Sequence, residues 1–529
     1  MAPRYERPCA CGRGRSHGPY AWAVRRLVLV AVAMVVIAAC SNDPGEPAVV
    51  ARDVTGITNP SDSVAEPLSP KPVVPLDYAI EWTALDDRVD EGRITVPVDY
   101  ADPQGDTIDL YVARHRASNE TVGPMLSNRG GPGAEGASLA LSASGYFEPE
   151  LTDNFDIIGW DPRGTGQSDG VVDCIDDDEY DRFYADYDVT PDDQAERDAV
   201  VANAEELAQR CIDRVDALQY VGTNNSARDM DAIRQALGVD QISYFGFSYG
   251  SELGGVWTTL FPTTVRAAVF DGASDPNADP LEASRQQGAG FEAVLDTFLA
   301  QCSTDSSCPF HNDGDAAGAY GQLMAGLDES PLPSADGRPP VDRGIAAIAT
   351  AQAMYSDSYW PAFERALEDA AAGDGAALLQ LNDAYYGRSA DGTYGNLIES
   401  FQAINCADEA ERPTVAESDD EVESILEVAP RIFPYTTGSY SCTFFPPALD
   451  PRVEITGAGA GPIAVIGTTG DAATPLESTR AMADTLEDGR LVIVEANQHT
   501  GYRGNDCVQG IVHEYLLRLV APEDGTLCS

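Results

Sequence analysis

Short apolar runs alternate with longer amphipathic segments in two parts of the chain. Residues 155–160, 241–246 and 265–270 are runs of strand length that are rich in aliphatic and aromatic side chains. Between them, residues 198–215 and 227–237 carry apolar positions at the wider spacing of helices. This alternation predicts a mostly parallel central sheet with helices packed on both faces.

The alternation stops between residues 279 and 450 and then resumes. The interruption contains helical patterns at 290–301 and 360–372, separated by stretches rich in proline and glycine. After it, strand-like runs at 462–467 and 490–495 are each followed by a helical pattern. We therefore predict one α/β core that is split by a mainly helical cap. The first part of the core, the cap and the second part of the core are predicted at residues 76–278, 279–450 and 451–529.

The N-terminal residues have the pattern of an export signal. Arginines precede an apolar run at residues 27–39, which is short for a membrane span and typical of a signal peptide. Small residues before Cys40 resemble a bacterial lipobox, so we predict cleavage of residues 1–39 and acylation of the Cys40 thiol. An ordinary secretory signal is the alternative, and Arg25-Arg26 leaves Sec or twin-arginine export open.

A linker is predicted after the signal. Residues 40–75 are rich in proline, serine and acidic side chains and show no apolar periodicity, which indicates a flexible tether. The mature protein is therefore expected outside the cytoplasm, attached to the cell membrane only by the lipid on Cys40.

Composition restricts the class of protein and its partners. Hydrophobic residues make up 43% and charged residues 22% of the 529-residue chain, as in globular proteins. The formal net charge of −53 would repel a phosphate backbone, so we expect no nucleic acid partner.

The cysteines predict a disulfide framework. Cys9 and Cys11 would leave with the signal, and Cys40 would carry the lipid. An even number of remaining cysteines in an exported chain predicts four disulfides, and we favour pairing each with its nearest neighbour along the chain. A metal cluster is the rival interpretation, but the chain lacks the C-x-x-C or H-E-x-x-H spacing of common metal sites, so no metal is predicted. The cysteines concerned are Cys174, Cys211, Cys302, Cys308, Cys406, Cys442, Cys507 and Cys528.

A serine between two glycines follows the run at 241–246. Gly246, Ser248 and Gly250 form a G-x-S-x-G sequence at a predicted change from strand to helix. That setting is typical of a nucleophile elbow, where a sharp turn brings backbone segments so close that small residues are needed two positions away. A serine that merely caps a helix would not require both glycines. We therefore predict that Ser248 is a nucleophile.

The general base is expected downstream of the serine. His499 lies in a loop just after the last predicted strand, where a base can reach a residue at a neighbouring strand end. His311 follows Cys308 in the cap, and His513 lies within an amphipathic helix. Surface or packing roles explain those two histidines better, so His499 is the predicted base.

The acid that orients the base is expected after the preceding strand. Asp471 follows the run at 462–467 and is separated from His499 by one helix and one strand. Thr474 would either hydrogen-bond its carboxylate or cap the next helix. Asp271 and Asp275, which follow the strand at 265–270, are the competing candidates.

A glycine-rich loop precedes the elbow. Gly130, Gly131 and Gly133 follow a predicted strand, and their backbone N–H groups are not obstructed by side chains. We predict that the N–H groups of Gly131 and Tyr249 form an oxyanion hole. Ser248, Asp471 and His499 would then perform acyl transfer without a metal or organic cofactor.

Several ordered motifs together resemble one known family. They look like those of the α/β-hydrolase peptidases of the prolyl and tripeptidyl aminopeptidase type. The sequence after His499, and the segment around Cys406 in the cap, are similar to the C-terminal module and the cap of secreted bacterial tripeptidyl aminopeptidases. The resemblance implies an α/β-hydrolase fold and removal of residues from peptides with a free N-terminus. The motifs are Asn128-Arg-Gly-Gly-Pro-Gly, Asp161-Pro-Arg-Gly-Thr-Gly-Gln-Ser, Gly246-Phe-Ser-Tyr-Gly and Asp471-Ala-Ala-Thr-Pro.

An aminopeptidase must bind an ammonium group, which requires carboxylates near the triad. Asp408, Glu409 and Glu411 follow Cys406 in the cap, and Asp408 and Glu409 are the predicted ligands. In so acidic a chain, a run of this kind is also typical of a solvated surface.

Two other functions stay open. The same triad serves carboxylesterases and lipases, in which the cap would enclose an acyl chain. A lipid-anchored binding protein with an inactive triad is the other alternative, although the intact order of Ser248, Asp471 and His499 argues against it.

Overall fold

The computed structural model describes residues 77–529, apart from 186–188, 192, 433–439 and 441. The predicted signal peptide, the predicted lipidation site Cys40 and the predicted linker therefore lie outside the described residues. No helix in the described part of the chain is long and apolar enough to cross a membrane.

The described residues contain one ten-stranded sheet, in which parallel pairing predominates. The strands run β1-β2-β3-β5-β4-β6-β7-β8-β9-β10 across the sheet. The first strands pair antiparallel, and every neighbouring pair from β5 to β10 is parallel. The predicted α/β fold class is thereby confirmed. The strands are β1 Thr83–Ala84, β2 Val89–Pro97, β3 Thr107–His115, β4 Gly123–Asn128, β5 Phe155–Trp160, β6 Ile242–Phe247, β7 Val265–Asp271, β8 Ile463–Thr468, β9 Gly489–Val494 and β10 Thr526–Cys528.

Helices cover the sheet and fill the interval between β7 and β8. Those before β8 that belong to the core are α1 Ser138–Leu141, α2 Pro149–Thr152, α3 Tyr180–Tyr184, α4 Gln194–Arg214, α5 Thr223–Ala236 and α6 Tyr249–Leu260. The interval holds α7 Pro280–Thr304, α8 Ala316–Glu329, α9 Arg343–Met354, α10 Trp360–Ala371, α11 Ala376–Tyr385, α12 Leu397–Asp408 and α13 Val415–Leu426. The chain then continues with α14 Leu476–Thr485 and α15 Asp506–Arg518. Short 3-10 helices lie at Ala143–Gly145, Asp177–Glu179, Leu218–Tyr220, Pro262–Thr264, Asn312–Gly314, Asp357–Tyr359 and Cys442–Phe444.

The central strands are apolar because both of their faces are covered. Every residue of β6 and β8 is buried, as expected for parallel strands between two layers of helices. One large apolar cluster joins one face of the sheet to the cap, and a second packs α15 and α2 against the other face. The carboxyl ends of β4, β6, β7, β8 and β9 consequently lie along one edge, where α/β folds place their functional residues.

The four predicted disulfides are confirmed, each between nearest neighbours along the chain. They connect the segment after β5 to α4, close the end of α7, join α12 to a later 3-10 helix, and fasten α15 to β10. The pairs are Cys174–Cys211, Cys302–Cys308, Cys406–Cys442 and Cys507–Cys528.

The Asp161-Pro-Arg163 motif after β5 contributes a buried ion pair to the core. Nε and Nη2 of Arg163 donate to the two carboxylate oxygens of Asp229 at 2.7 Å each, and both side chains are almost fully buried. The guanidinium also donates to the carbonyls of Pro97 and Val98. A buried charge is tolerated here because nearly all of its donors have acceptors.

We expect Arg163→Met to lower the free energy of unfolding by about 3–5 kcal/mol, because Asp229 would be left buried without its cation. Chemical denaturation measures the loss. Arg93→Met is the matched control, since the Arg93–Asp169 pair is exposed and should change stability by at most about 1 kcal/mol. Equal stability of the two variants would contradict a structural role for the buried pair.

Candidate active site

Ser248 lies in a sharp turn between β6 and α6. Its backbone has φ 55° and ψ −129°, a conformation that non-glycine residues rarely adopt and that a surrounding structure must hold in place. The Ser248 N–H donates to the carbonyl oxygen of Asp271 at 2.8 Å, which ties the turn to the end of β7. The side chain of Ser248 is half-buried.

The two glycines that flank the serine are required by close backbone contacts. A Cβ atom on Gly246 would lie 2.2 Å from the carbonyl oxygen of Gly250. A Cβ atom on Gly250 would lie 2.8 Å from the carbonyl oxygen of Asn128 in β4. A larger residue at position 246 would push α6 away from the end of β6, and a larger residue at position 250 would push α6 away from β4, which explains the spacing noted in the sequence.

The glycine loop (residues 129–133) follows β4 and packs on the elbow. A Cβ atom on Gly130 would lie 2.7 Å from the Cβ of Ser248 and 3.2 Å from the nitrogen of Tyr249. The Gly130 N–H donates to the side-chain oxygen of Asn128, which shapes the loop. Tyr249 begins α6, so its N–H has no intrahelical acceptor, and the Gly131 N–H makes no hydrogen bond to another described residue. Both N–H groups are thus left available, that of Tyr249 directly after Ser248 and that of Gly131 directly after the glycine that packs on Ser248.

Asp471 and His499 are in direct contact. Nδ1 of His499 lies 2.9 Å from each carboxylate oxygen of Asp471. The same carboxylate accepts the N–H groups of Ala473 and Thr474 at 3.0 and 2.8 Å and the Thr474 hydroxyl at 3.1 Å. Thr474 therefore does hydrogen-bond the acid. These bonds fix the carboxylate so that it can orient the imidazole.

Electrostatics favour a proton on His499. Burial acts to lower the pKa of His499, but the charge and hydrogen bond of Asp471, together with the charge of Asp271, outweigh it and raise the pKa overall. Nε2 of His499 is buried and has no hydrogen-bond partner among the described residues. A hydrogen bond between a base and its nucleophile is often long before substrate binds.

Asp271 and Asp275, the competing acids, do not contact the imidazole nitrogens. The Asp271 carboxylate accepts the N–H groups of Gly501 and Tyr502 at 2.6 and 2.9 Å. Asp275 accepts from Asn277 and Gln286. Of these three carboxylates, Asp471 is therefore the one that contacts the imidazole.

The other two downstream histidines have structural partners. Nδ1 of His311 lies 2.9 Å from the carbonyl oxygen of Cys302, in the cap. Nε2 of His513 lies 3.0 Å from the hydroxyl of Tyr502. Packing roles account for both contacts.

The cap reaches the histidine loop (residues 495–502) through a segment that sequence reasoning missed. The Tyr355 carbonyl accepts the His499 N–H at 2.8 Å, and the Tyr355 ring meets the imidazole edge-on at 5.6 Å. Ser356 pairs with Gln498 in an isolated β-bridge. Tyr355 directly follows α9, far from the elbow in sequence, so no local pattern could indicate this contact.

The predicted ammonium ligands occupy different environments. The Asp408 carboxylate accepts the N–H and hydroxyl of Thr223 at 2.7 and 2.5 Å, which caps α5. Burial raises the pKa of Asp408 to about 7. Burial likewise raises the pKa of Glu409 to about 7, against the opposing charge of Arg412. Glu411 is exposed.

A further carboxylate lies close to the elbow. Glu252 is one helical turn after Ser248 in α6, and it accepts the Ser274 hydroxyl at 3.1 Å. Nε of Arg452 lies 3.1 Å from its other oxygen. Its position four residues after the nucleophile was visible in the sequence, but only the fold brings Ser274 and Arg452 to it.

Comparisons with known proteins agree on the fold and differ in the named activity. Residues 123–503 match the model of a family described as alpha/beta hydrolase fold. "Serine protease Hip1" of Mycobacterium tuberculosis is 34% identical over 459 residues, which cover 83% of this chain and 86% of that protein. "Carboxylesterase B" of the same species is 36% identical over 456 residues, with 82% and 85% covered. "Tripeptidyl aminopeptidase" of Streptomyces lividans is 29% identical over 464 residues, with 83% of each chain covered.

Proposed function

This chain belongs to the α/β-hydrolase family and is a serine hydrolase, and we propose that it cleaves peptide bonds near a free N-terminus. One observation carries the proposal: Nδ1 of His499 contacts both oxygens of Asp471, while Nε2 is buried without a hydrogen-bond partner in the part of the chain that the structure describes. A base that is oriented on one side and unoccupied on the other is what a serine nucleophile requires.

The proposed reaction is acyl transfer through Ser248. Nε2 of His499 removes the proton of the Ser248 hydroxyl, and the serine oxygen attacks the substrate carbonyl. The N–H groups of Gly131 and Tyr249 stabilise the oxyanion, and Asp471 stabilises the imidazolium. His499 then protonates the leaving amine, and water releases the acyl group from Ser248.

A peptide substrate is supported by the relatives and by the cap. Two of the three relatives are named as a serine protease and a tripeptidyl aminopeptidase. The cap reaches the site through the contact between Tyr355 and His499, and we propose that the cap limits how much chain extends beyond the cleaved bond. We propose that a carboxylate near the elbow binds the substrate ammonium. Asp408 and Glu409 remain the predicted ligands, although the Asp408 carboxylate also caps α5 through Thr223.

Export is also proposed. Four disulfides are typical of proteins that fold in an oxidising compartment. We propose that residues 1–39 direct export and that Cys40 carries a lipid, as the lipobox-like sequence predicts.

A carboxylesterase is the second candidate, favoured by the 36% identity to the relative of that name. Paired peptides with free and acetylated N-termini, together with a p-nitrophenyl ester, separate the two functions. We expect acetylation to lower kcat/KM for peptides at least about tenfold, since a charge-assisted hydrogen bond contributes roughly 1.5–3 kcal/mol. Mass spectrometry of the products measures the length removed.

Ser248→Ala serves as the blank in this assay. Ester turnover without peptide cleavage would leave the carboxylesterase as the function. Equal cleavage of free and acetylated peptides would contradict recognition of the N-terminus.

A further inference from the structure

Asp271 connects the backbone of the elbow to the backbone of the histidine loop. It ends β7 and its side chain is completely buried. Its carbonyl accepts the Ser248 N–H at 2.8 Å, and its carboxylate accepts the N–H groups of Gly501 and Tyr502 at 2.6 and 2.9 Å. One residue thus holds the nucleophile turn on one side and the base loop on the other.

Both connected segments contain a strained residue. Ser248 has φ 55° and Thr500 has φ 71°, and neither is glycine. A non-glycine residue in such a conformation costs on the order of 1–3 kcal/mol and persists only where surrounding bonds hold it. Thr500 lies between His499 and Gly501, so the bonds from Asp271 hold the loop directly after the strained position.

The imidazole of His499 packs against the backbone of Gly272, the residue after Asp271. The φ of 73° at Gly272 favours glycine, and a Cβ atom there would lie 3.1 Å from Cε1 of His499. The imidazole therefore rests on the backbone that follows Asp271, while Asp471 holds Nδ1 from the loop after β8.

The charge of Asp271 also acts on His499. Burial raises the pKa of Asp271 to about 7, two N–H bonds and the His499 charge oppose that rise, and the Asp471 charge adds to it. The same negative charge contributes to the raised pKa of His499. The other titratable groups that face this cluster are Tyr502, next to Asp271, and Tyr355, against the imidazole.

We propose that Asp271 is a second positioning carboxylate, which sets Ser248 and His499 relative to each other and stabilises the imidazolium formed during acyl transfer. It acts through backbone bonds and charge, not by accepting a proton from the imidazole. This role rests on the proposed function of Ser248 and His499, and it differs from the role of Asp471, which contacts Nδ1.

The test compares Asp271→Asn with Asp275→Asn in the full-length protein. Each change removes one carboxylate charge at or just after the end of β7, but the Asp275 carboxylate accepts from Asn277 and Gln286 and does not bond the elbow or the histidine loop among the described residues. Hydrolysis of a p-nitrophenyl ester is measured against pH. Titration with a fluorophosphonate gives the fraction of active protein, so that kcat refers to folded sites.

For Asp271→Asn we expect kcat per active site to fall about 10- to 100-fold, because misplacement of reacting groups by about 1 Å has an effect of this size. KM should stay within about twofold, since Asp271 does not contact substrate. Loss of the negative charge lowers the pKa of His499, so the acidic limb of kcat/KM should move to lower pH. Asp275→Asn should retain the wild-type kcat, and the acidic limb of its kcat/KM profile should stay at the wild-type pH.

An unchanged kcat per active site, with an unmoved acidic limb, would overturn the proposal and leave Asp271 a purely structural residue. If Asp271→Asn does not fold, Thr500→Gly is added to it, because glycine adopts a positive φ without strain. If the acidic limb of kcat/KM stays at the wild-type pH in that double variant, the proposal is overturned as well. If the wild-type protein does not react with the fluorophosphonate, the proposed function itself fails, and the role of Asp271 fails with it.

Discussion

Replacing Ser248 with alanine is expected to lower kcat about 10⁶-fold for both peptides and esters, because the acyl-enzyme can no longer form. Binding should survive, since the oxyanion donors and the cap are unaltered. Initial rates at saturating substrate measure the loss, and thermal unfolding checks the fold. Removing the hydroxyl leaves the backbone bond from residue 248 to the Asp271 carbonyl in place.

Ser142→Ala is the matched control for this change, because Ser142 is a solvent-exposed serine of the same α/β domain. It should keep wild-type rates. Activity retained by Ser248→Ala would mean that the nucleophile lies elsewhere, and the elbow geometry would then have another explanation.

Asp471→Asn is expected to lower kcat about 10⁴-fold, because the amide cannot hold the imidazole in the tautomer that presents a free Nε2. Asp471 raises the pKa of His499, so its replacement should also move the acidic limb of the rate to lower pH. Steady-state kinetics across the pH range measure both effects.

Asp484→Asn is the control for the acid, since Asp484 is exposed on α14. It should leave the pH profile unchanged. Near-normal activity of Asp471→Asn would mean that Asp471 is not the acid that orients His499. Asp271, the alternative that the sequence left open, would then be the candidate for that role.

Much of the core could be predicted because its strands are buried on both faces. Continuous apolar runs mark β5, β6, β7, β8 and β9, and their observed bounds lie within about a residue of the expected ones. The matches to the α/β-hydrolase family confirm the resemblance that the ordered motifs indicated. Each triad candidate follows one of these strands, so chain order indicated all three, although Asp271 and Asp275 stayed open as alternatives for the acid.

The disulfide pairs could be predicted for a related reason. Cys302 and Cys308 are separated by only 6 positions and cannot lie far apart, whereas the other pairs are separated by 21 to 37 positions and meet because of the fold. Helix bounds in the cap were harder to predict. The helix expected at 290–301 begins at Pro280, because Asp279 caps it and proline is tolerated in the first turn.

The contacts between distant segments could not be predicted. Tyr355 meets His499, and Asp271 meets Gly501, only because the sheet order and the cap bring these segments together. Asp408 illustrates the same limit. Its sequence context indicates a ligand for an ammonium group, but its carboxylate caps α5 through Thr223, which no local pattern reveals.

The most direct test of the account is to map the covalent adduct formed by a fluorophosphonate. The protein is labelled, digested, and sequenced by tandem mass spectrometry, with Ser248→Ala as the matched blank. The account predicts one adduct, on the peptide that carries Ser248, and none in the alanine variant. An adduct on another residue, or no adduct on folded wild-type protein, would contradict the claim that Ser248 is the nucleophile.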